Sequence, residues 1–368
     1  MSEKHHIYTH AFLSLPNIGS GTLRTLKKHF GSLEQAWHAP SSAFERLPKI
    51  REETKKVLRE KRNDINPEVL WQTLLKTDIQ LLTPEDAEFP KRLQELPDAP
   101  QSLYYQGNFD WNKNSPLIAI VGSRKFTAYG EQVAAKLSEE LTRAGMVVVS
   151  GLAFGIDSVA HVAALEAGGE TLAVLGSGLQ HITPPSHIPL AKKIMGRGAV
   201  ISEYFPSRGG DAWTFPQRNR IIAGLTWGTI VIEAAEGSGS LITAQCALEY
   251  NREVFAVPGS IFSPYSIGTN TLLKKGARVT TSLQDILEEL PEEYAIKNTV
   301  REIATPTPAN LSEEAQKVYK TLSHEPLHID KIIKASTLQT SAVSSALALL
   351  EIQGLVKNVG GMHYIRTS

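Results

Sequence analysis

An apolar run, Leu117 to Val121, ends in Gly122-Ser123-Arg124, and a helical pattern begins soon after. Strand, glycine turn and helix together make an anion site, because a helix N-terminus leaves backbone N–H groups unpaired and carries partial positive charge. The turn has neither the GxxxxGK[ST] of a P-loop nor the GxGxxG of a dinucleotide loop, so the expected guest is a phosphate outside those two cofactor classes. Arg218 and Arg220 bracket Asn219 at another helix start, where two cations are unfavourable unless an anion offsets them, either a bound phosphate or an internal carboxylate, Glu203 or Glu233. Lys274 and Lys275 follow later in the same block. Asp157 and His161 share a helix face and suit an acid–base pair or two metal ligands. Two ligands are too few for zinc, so a structural role is expected and no metal. Gly176-Ser177-Gly178 lacks the third glycine of a dinucleotide fingerprint, so no cofactor is expected. Phe126, Phe154, Trp213 and Phe215 lie beside these turns, as stacking platforms or as core.

The elements that must position these groups come in blocks. From about residue 115 to 290 short apolar strands (LIAIV, MVVVS, TLAVL, AVIS, TIVIE, VFAVPG) alternate with helical segments. That alternation predicts an α/β fold, a Rossmann-like parallel sheet covered by helices, with ligands at the strand ends. The expected domains are a helical one over 1–110, the α/β core over 111–290, a linker over 291–310 containing TPTP, and a small domain over 311–368. In the first block Pro16-Asn17-Ile18-Gly19-Ser20-Gly21 joins two helical stretches and resembles a helix-hairpin-helix of SAM-like kind, with a weaker copy from Leu47 (LPKIREETKKVL). Residues 20–62 hold 11 Lys/Arg and 5 Asp/Glu, a basic patch in a chain of zero net charge with 38 of each sign. The last block reads as three helices and a hairpin, resembling a winged helix. Its third helix, Gln339 to Gln353, has Glu351 as its only charge, which suits packing or protein contacts better than DNA.

The balanced charge gives no global polybasic signal, so nucleic-acid binding must come from local patches. The single cysteine, Cys246, excludes an internal disulfide and suggests a reducing compartment. The N-terminal residues carry no signal-peptide pattern, and the longest apolar run, 221–232, is too short for a bilayer. A cytoplasmic protein with no membrane contact is expected.

GSR at 122–124, SGLAFGIDSVAH at 150–161, FPQRNRIIAGL at 215–225, EAAEGSGSLITA at 233–244 and REVFAVPG at 252–259 together resemble the DprA/Smf family, bacterial DNA-processing proteins of natural transformation. The resemblance covers the whole α/β block in order, and the flanking helical and winged-helix-like blocks match its longer members. It implies a protein that is not an enzyme. Such a protein binds single-stranded DNA without sequence preference, helps load RecA onto incoming strands, and forms a homo-oligomer, a dimer. It also implies that Arg124 contacts DNA phosphate, with Ser123, Gly151, Arg218 and Arg220 in the same groove; Asn219, Lys274 and Lys275 are added as DNA-binding candidates from their place in the sequence. The chain departs from the family pattern at 180–187, QHITPPSH, where members carry an Asp and a Tyr-Pro pair, and no contact is carried over there. The alternative is a nucleotide-binding or nucleotide-hydrolysing enzyme of a related Rossmann-like family, with Glu233 as acid–base group. Those enzymes use a PGGxGTxxE type of motif where this chain has EAAEGSGSLITA.

Overall fold

The computed structural model describes residues 2–111, 115–291, 311–323 and 325–366. These fall in two compact units, within 1–297 and 298–368. The larger begins with helices α1 (Ser2–Ser14), α2 (Ser20–Phe30), α3 (Leu33–His38), α4 (Glu52–Glu60) and α5 (Pro67–Leu75). The turn before α2 places Asn17 at φ 61°, and the turn before α4 places Lys49 at φ 59°, so the two Leu-Pro-x-Ile segments repeat in conformation as well as in sequence. Asparagine tolerates this left-handed region better than lysine does, and the second copy is accordingly the less regular one. It is entered from a short 3₁₀ turn over Ser41–Phe44 rather than from an α-helix.

The chain then forms β1 (Gln80–Leu82), α6 (Lys91–Gln94), β2 (Leu103–Gly107), β3 (Leu117–Val121), α7 (Ala128–Arg143), β4 (Val147–Ser150), α8 (Ile156–Glu166), β5 (Thr171–Val174), α9 (Ile188–Met195), β6 (Ala199–Ser202), α10 (Thr214–Leu225), β7 (Gly228–Val231), α11 (Gly239–Glu249), β8 (Glu253–Ala256), α12 (Ile267–Lys274), β9 (Arg278–Val279) and α13 (Leu283–Leu287). One sheet holds all of these strands in the order β1-β2-β6-β5-β4-β3-β7-β8-β9. From β6 to β9 the pairing is parallel, while β2 runs antiparallel to β6, and β1 to β2. Strands β1 and β2 arise in the stretch expected to be helical, so the expected boundary at residue 110 falls inside the sheet. The first helices also share one apolar cluster with Tyr104, Leu152, Ala173 and Val200 of the α/β core.

The apolar strand runs do not alternate because both faces of the sheet are covered. Ala119 and Val121 of β3 pack with Ile221, Ile222, Ala244 and Ala247 on one face. Ile118 and Ile120 pack with Ala134, Leu137 and Leu141 on the other. Each fully buried aliphatic side chain of this size contributes about 1.5–3 kcal/mol. The connections leave β3 in opposite directions, toward β6 on one side and β9 on the other, so the strand order reverses at β3 and β7. Crevices outside the carboxyl ends of strands at such a reversal are where open α/β sheets bind ligands.

The smaller unit contains α14 (Glu313–Thr321), β10 (Leu327–His328), α15 (Ile329–Ser336), α16 (Thr340–Ile352), β11 (Val356–Gly360) and β12 (His363–Arg366), with an antiparallel sheet ordered β10-β12-β11. Its core joins Val318, Tyr319, Ile332, Val343, Leu347 and Leu350. The outer face of α16 exposes Ser341, Ser344, Ser345, Ala348, Leu349 and Ile352, without a cation. Apart from Pro291, the expected linker lies outside the described residues.

Candidate nucleic-acid interface

At the carboxyl end of β3 the chain is fixed by the neighbouring strand. The Ser123 N–H donates to the Glu233 carbonyl at 2.8 Å. The Lys125 N–H donates to Ser123 Oγ at 3.1 Å, and Ser123 Oγ in turn donates to the Lys125 carbonyl. Thr127 caps α7, its hydroxyl accepting from the Gly130 N–H. The Glu233 carboxylate, 2% exposed, accepts the Thr127 N–H at 2.9 Å and its hydroxyl at 2.6 Å. A buried carboxylate thus braces the first turn of α7, where the helix dipole favours it, and Gly130 leaves it room, since a Cβ there would strike it. The turn so held presents Arg124, Lys125 and Phe126 to solvent. Among the described residues, neither the Arg124 guanidinium nor the Lys125 ammonium has an ion-pair or hydrogen-bond partner.

The next turn packs against the first. Gly155 sits at φ +88°, and a Cβ on it would meet the backbone of Ser123 and Arg124. The Ile156 N–H donates to the Ser123 carbonyl at 3.3 Å. Asp157 accepts from Gly151 N–H (3.1 Å) and Ala153 N–H (3.4 Å), closing the loop so that Phe154 projects outward, 52% exposed. The His187 ring meets Phe154 edge-on, with centroids 4.9 Å apart, and its Nδ1 bonds the Leu152 carbonyl at 2.9 Å. The segment that departs from the family pattern therefore supports this turn from behind.

Other expected contacts lie elsewhere. Arg218, 4% exposed, is inside the protein. It donates to the carbonyls of Gly151 (2.7 Å) and Val174, and its Nε donates to Asn219 Oδ1 at 3.1 Å. Burial pushes its pKa down to about 10, opposed by the nearby Asp157 carboxylate, so it stays charged at neutral pH. Burial pushes the Asp157 carboxyl up, with Arg218 and the loop N–H groups pulling the other way. Gly151 is glycine because a Cβ would strike the Arg218 guanidinium. Arg220 pairs with Glu203 at 2.5 Å and with Asp98 at 3.5 Å. Asn219 is half-buried and donates to the Gly239 carbonyl at 3.1 Å. The expectation of a free cationic surface at 218–220 is therefore corrected: Arg218 ties α10 to the ends of β4 and β5 from within, Asn219 ties it to the start of α11, and Arg220 is engaged by Glu203 and Asp98. Lys274 and Lys275 are exposed, but α12 runs back from the carboxyl end of β8 to the amino end of β9. They come at the opposite edge of the sheet and do not join Arg124. Phe215 packs under Gly176. Lys125, which the sequence reading did not single out, is exposed beside Arg124 in the same turn.

Asp157 and His161 do not act as a pair. The buried His161 bonds Thr171 Oγ1 through Nδ1 at 2.8 Å, and its Nε2 has no partner among the described residues. Burial, aided by the Arg218 charge, lowers its pKa to about 3, and burial lowers that of His10 to about 4. Both are neutral in the folded protein at pH values where the unfolded chain already protonates them, near 6.5. The unfolded state then binds more protons, so stability is full above pH 6.5 and falls as the pH drops toward 4, by up to about 1.4 kcal/mol per histidine per pH unit. Thermal melting from pH 7 to 4.5 should show that fall, and His161→Asn should flatten it; an unchanged slope in the variant would remove His161 from this account. Among the described residues no group of three or more His, Cys, Asp or Glu could hold a metal, and no helix is long and apolar enough to cross a membrane. Cys246 is half-buried, and burial raises its thiol pKa.

The family model of DNA recombination-mediator protein A matches residues 80–291, and that of the DprA winged helix domain matches residues 302–362. Protein Smf of Synechocystis sp. is 34% identical over 397 aligned positions, covering 100% of both chains. The X-ray structure of DNA processing protein A from Streptococcus pneumoniae superposes with a TM-score of 0.68 at 35% identity, over 77% of this chain and 98% of that one. A structure describing the single-stranded DNA binding mode of DNA processing protein A from Helicobacter pylori gives a TM-score of 0.51 at 32% identity, over 56% of this chain and 94% of that one.

Proposed function

The chain belongs to the DNA recombination-mediator protein A family, and from that premise we propose that it binds single-stranded DNA along the carboxyl rim of its sheet, whatever the base sequence. The observation that carries this reading is the pair of cations, Arg124 and Lys125, without a partner among the described residues, on adjoining turns that also expose Phe126 and Phe154, at the point where strand order reverses. Cations that track a backbone beside aromatic faces that stack bases are what a sequence-tolerant single-strand site needs. The Helicobacter pylori relative, with its single-stranded DNA binding mode, supports it. Processing of incoming DNA in transformation, help in loading RecA, self-association as a dimer and a cytoplasmic setting complete the proposal, and rest on the family resemblance.

A binding role is favoured over the nucleotide-hydrolysing alternative by Glu233. Its carboxylate is buried and already accepts two hydrogen bonds from Thr127, which leaves it poorly placed as an acid–base group. The smaller unit, whose α16 exposes Glu351 and no cation, suits a protein contact. A mobility-shift titration with single- and double-stranded oligonucleotides of unrelated sequence tests the reading. Single strands should bind more tightly than duplexes of the same length, with little dependence on sequence, and a chain ending at residue 304 should keep most of that affinity. Preference for duplex, or loss of binding on truncation, would contradict it.

A further inference from the structure

A cleft of about 860 Å³ opens between the two hairpin turns of the helical region and the segment that follows β6. Its lining includes five cations, Arg24, Lys49, Arg51, Arg208 and Arg220, against three carboxylates, Glu53, Asp98 and Glu203. Arg220 engages two of those carboxylates, Glu203 and Asp98. Arg24 is tied to the carbonyls of Pro97 and Ala99. What remains is Glu53 against three cations, Lys49 and Arg51, neither of which has an ion-pair partner among the described residues, and Arg208, which lies 3.9 Å from Asp211. Arg208 also stands 5.0 Å from the ring of Trp213, a large aromatic left 50% exposed at the start of α10. Lys49 and Arg51 lie in a turn that reproduces the backbone of the first, Asn17 and Lys49 both being left-handed. Cations in excess of the carboxylates round a concavity repel one another, and a polyanion in the cleft would offset that cost.

The position of the cleft says which polyanion. The segment Glu203–Trp213 leaves the carboxyl end of β6, on the same edge of the sheet as Arg124 at the end of β3. Three strand spacings separate those ends, about 14 Å. We infer that this cleft is a second station for the same single strand: the strand leaves Arg124, follows the rim across β4 and β5, stacks a base on Trp213, and sets its phosphates against Arg208, Lys49 and Arg51. This rests on the rim being a single-strand site, and the test separates the two.

The probe is oligothymidylate of two lengths, about 4 and about 20 nucleotides, which span the usual range for one single-strand binding module. The variant Lys49→Asn/Arg51→Gly installs the residues found at the same places in the first turn, Asn17 and Gly19, and so suits the backbone there. It should leave affinity for the short strand unchanged, weaken the long strand about tenfold, and flatten the salt dependence of long-strand binding by about 1.4, two phosphate contacts' worth. Trp213→Ala should weaken the long strand about fivefold or more, and Arg208→Gln should act in the same direction, which keeps the test open should the turn variant misfold. Arg124→Ala should weaken both lengths. Unchanged long-strand affinity in the cleft variants overturns the cleft while leaving the rim intact. Equal losses for both lengths, or a loss confined to duplex DNA, also overturn it. A cleft loss with Arg124→Ala silent would sink the shared path.

Discussion

Arg218→Met should destabilise the larger unit by about 3–5 kcal/mol, the usual consequence of removing one partner from a buried charged network. Methionine fills much of the space, so the loss comes from polarity and not from a cavity. The carbonyls of Gly151 and Val174 lose their donor, and each unpaired buried group costs about 1–3 kcal/mol. Asp157 is left with the N–H groups of its loop but without the neighbouring positive charge, in a site whose burial already disfavours its ionised form. Because Arg218 joins α10 to the ends of β4 and β5, the whole rim should loosen. The melting temperature should fall by roughly 6–20 °C, and single-strand affinity should fall with it. Thermal and urea unfolding check this. A variant with unchanged stability and lost DNA affinity would instead make Arg218 a ligand contact.

Arg124→Ala should do the reverse. The guanidinium is exposed and among the described residues has no partner to lose, so stability should change by less than about 0.5 kcal/mol. A charged hydrogen bond to phosphate is worth about 1.5–3 kcal/mol, so single-strand affinity should fall about ten- to a hundredfold. Arg124→Lys should lie between, since lysine keeps the charge but not the two-pronged geometry. Together the two arginines separate the site from its scaffold: one change removes binding without unfolding, the other removes binding through unfolding.

The exposed turn that carries Arg124 was legible because the signal there is local. A five-residue apolar strand, a glycine and a helix start lie consecutively, and the chemistry follows from their order. The sheet was legible for the same reason, from strand runs too apolar to have a wet face. Arg218 was misread because polarity does not say which way a helix faces. A signal was present: Arg218 stands three, four and seven residues before Ile221, Ile222 and Leu225, on the apolar stripe of α10 that packs into the sheet. Lys274 and Lys275 could have been set aside by topology, since a crossover helix returns to the amino ends of the strands. Strands β1 and β2 escaped because they are short, lie in a proline-punctuated stretch, and are defined by pairing, β2 with β6 nearly a hundred residues away in sequence and β1 with β2. The two hairpin turns were visible as repeated Leu-Pro-x-Ile segments, but the cleft they form with the segment after β6 depends on tertiary contacts no local pattern encodes.

The most direct measurement is the salt dependence of single-strand affinity for the wild-type chain and Arg124→Ala side by side. If Arg124 holds a phosphate on the rim, the variant should bind more weakly and the slope of log affinity against log salt should flatten by about 0.7, one contact on a single strand. Identical affinities and parallel slopes would contradict a rim built to hold DNA.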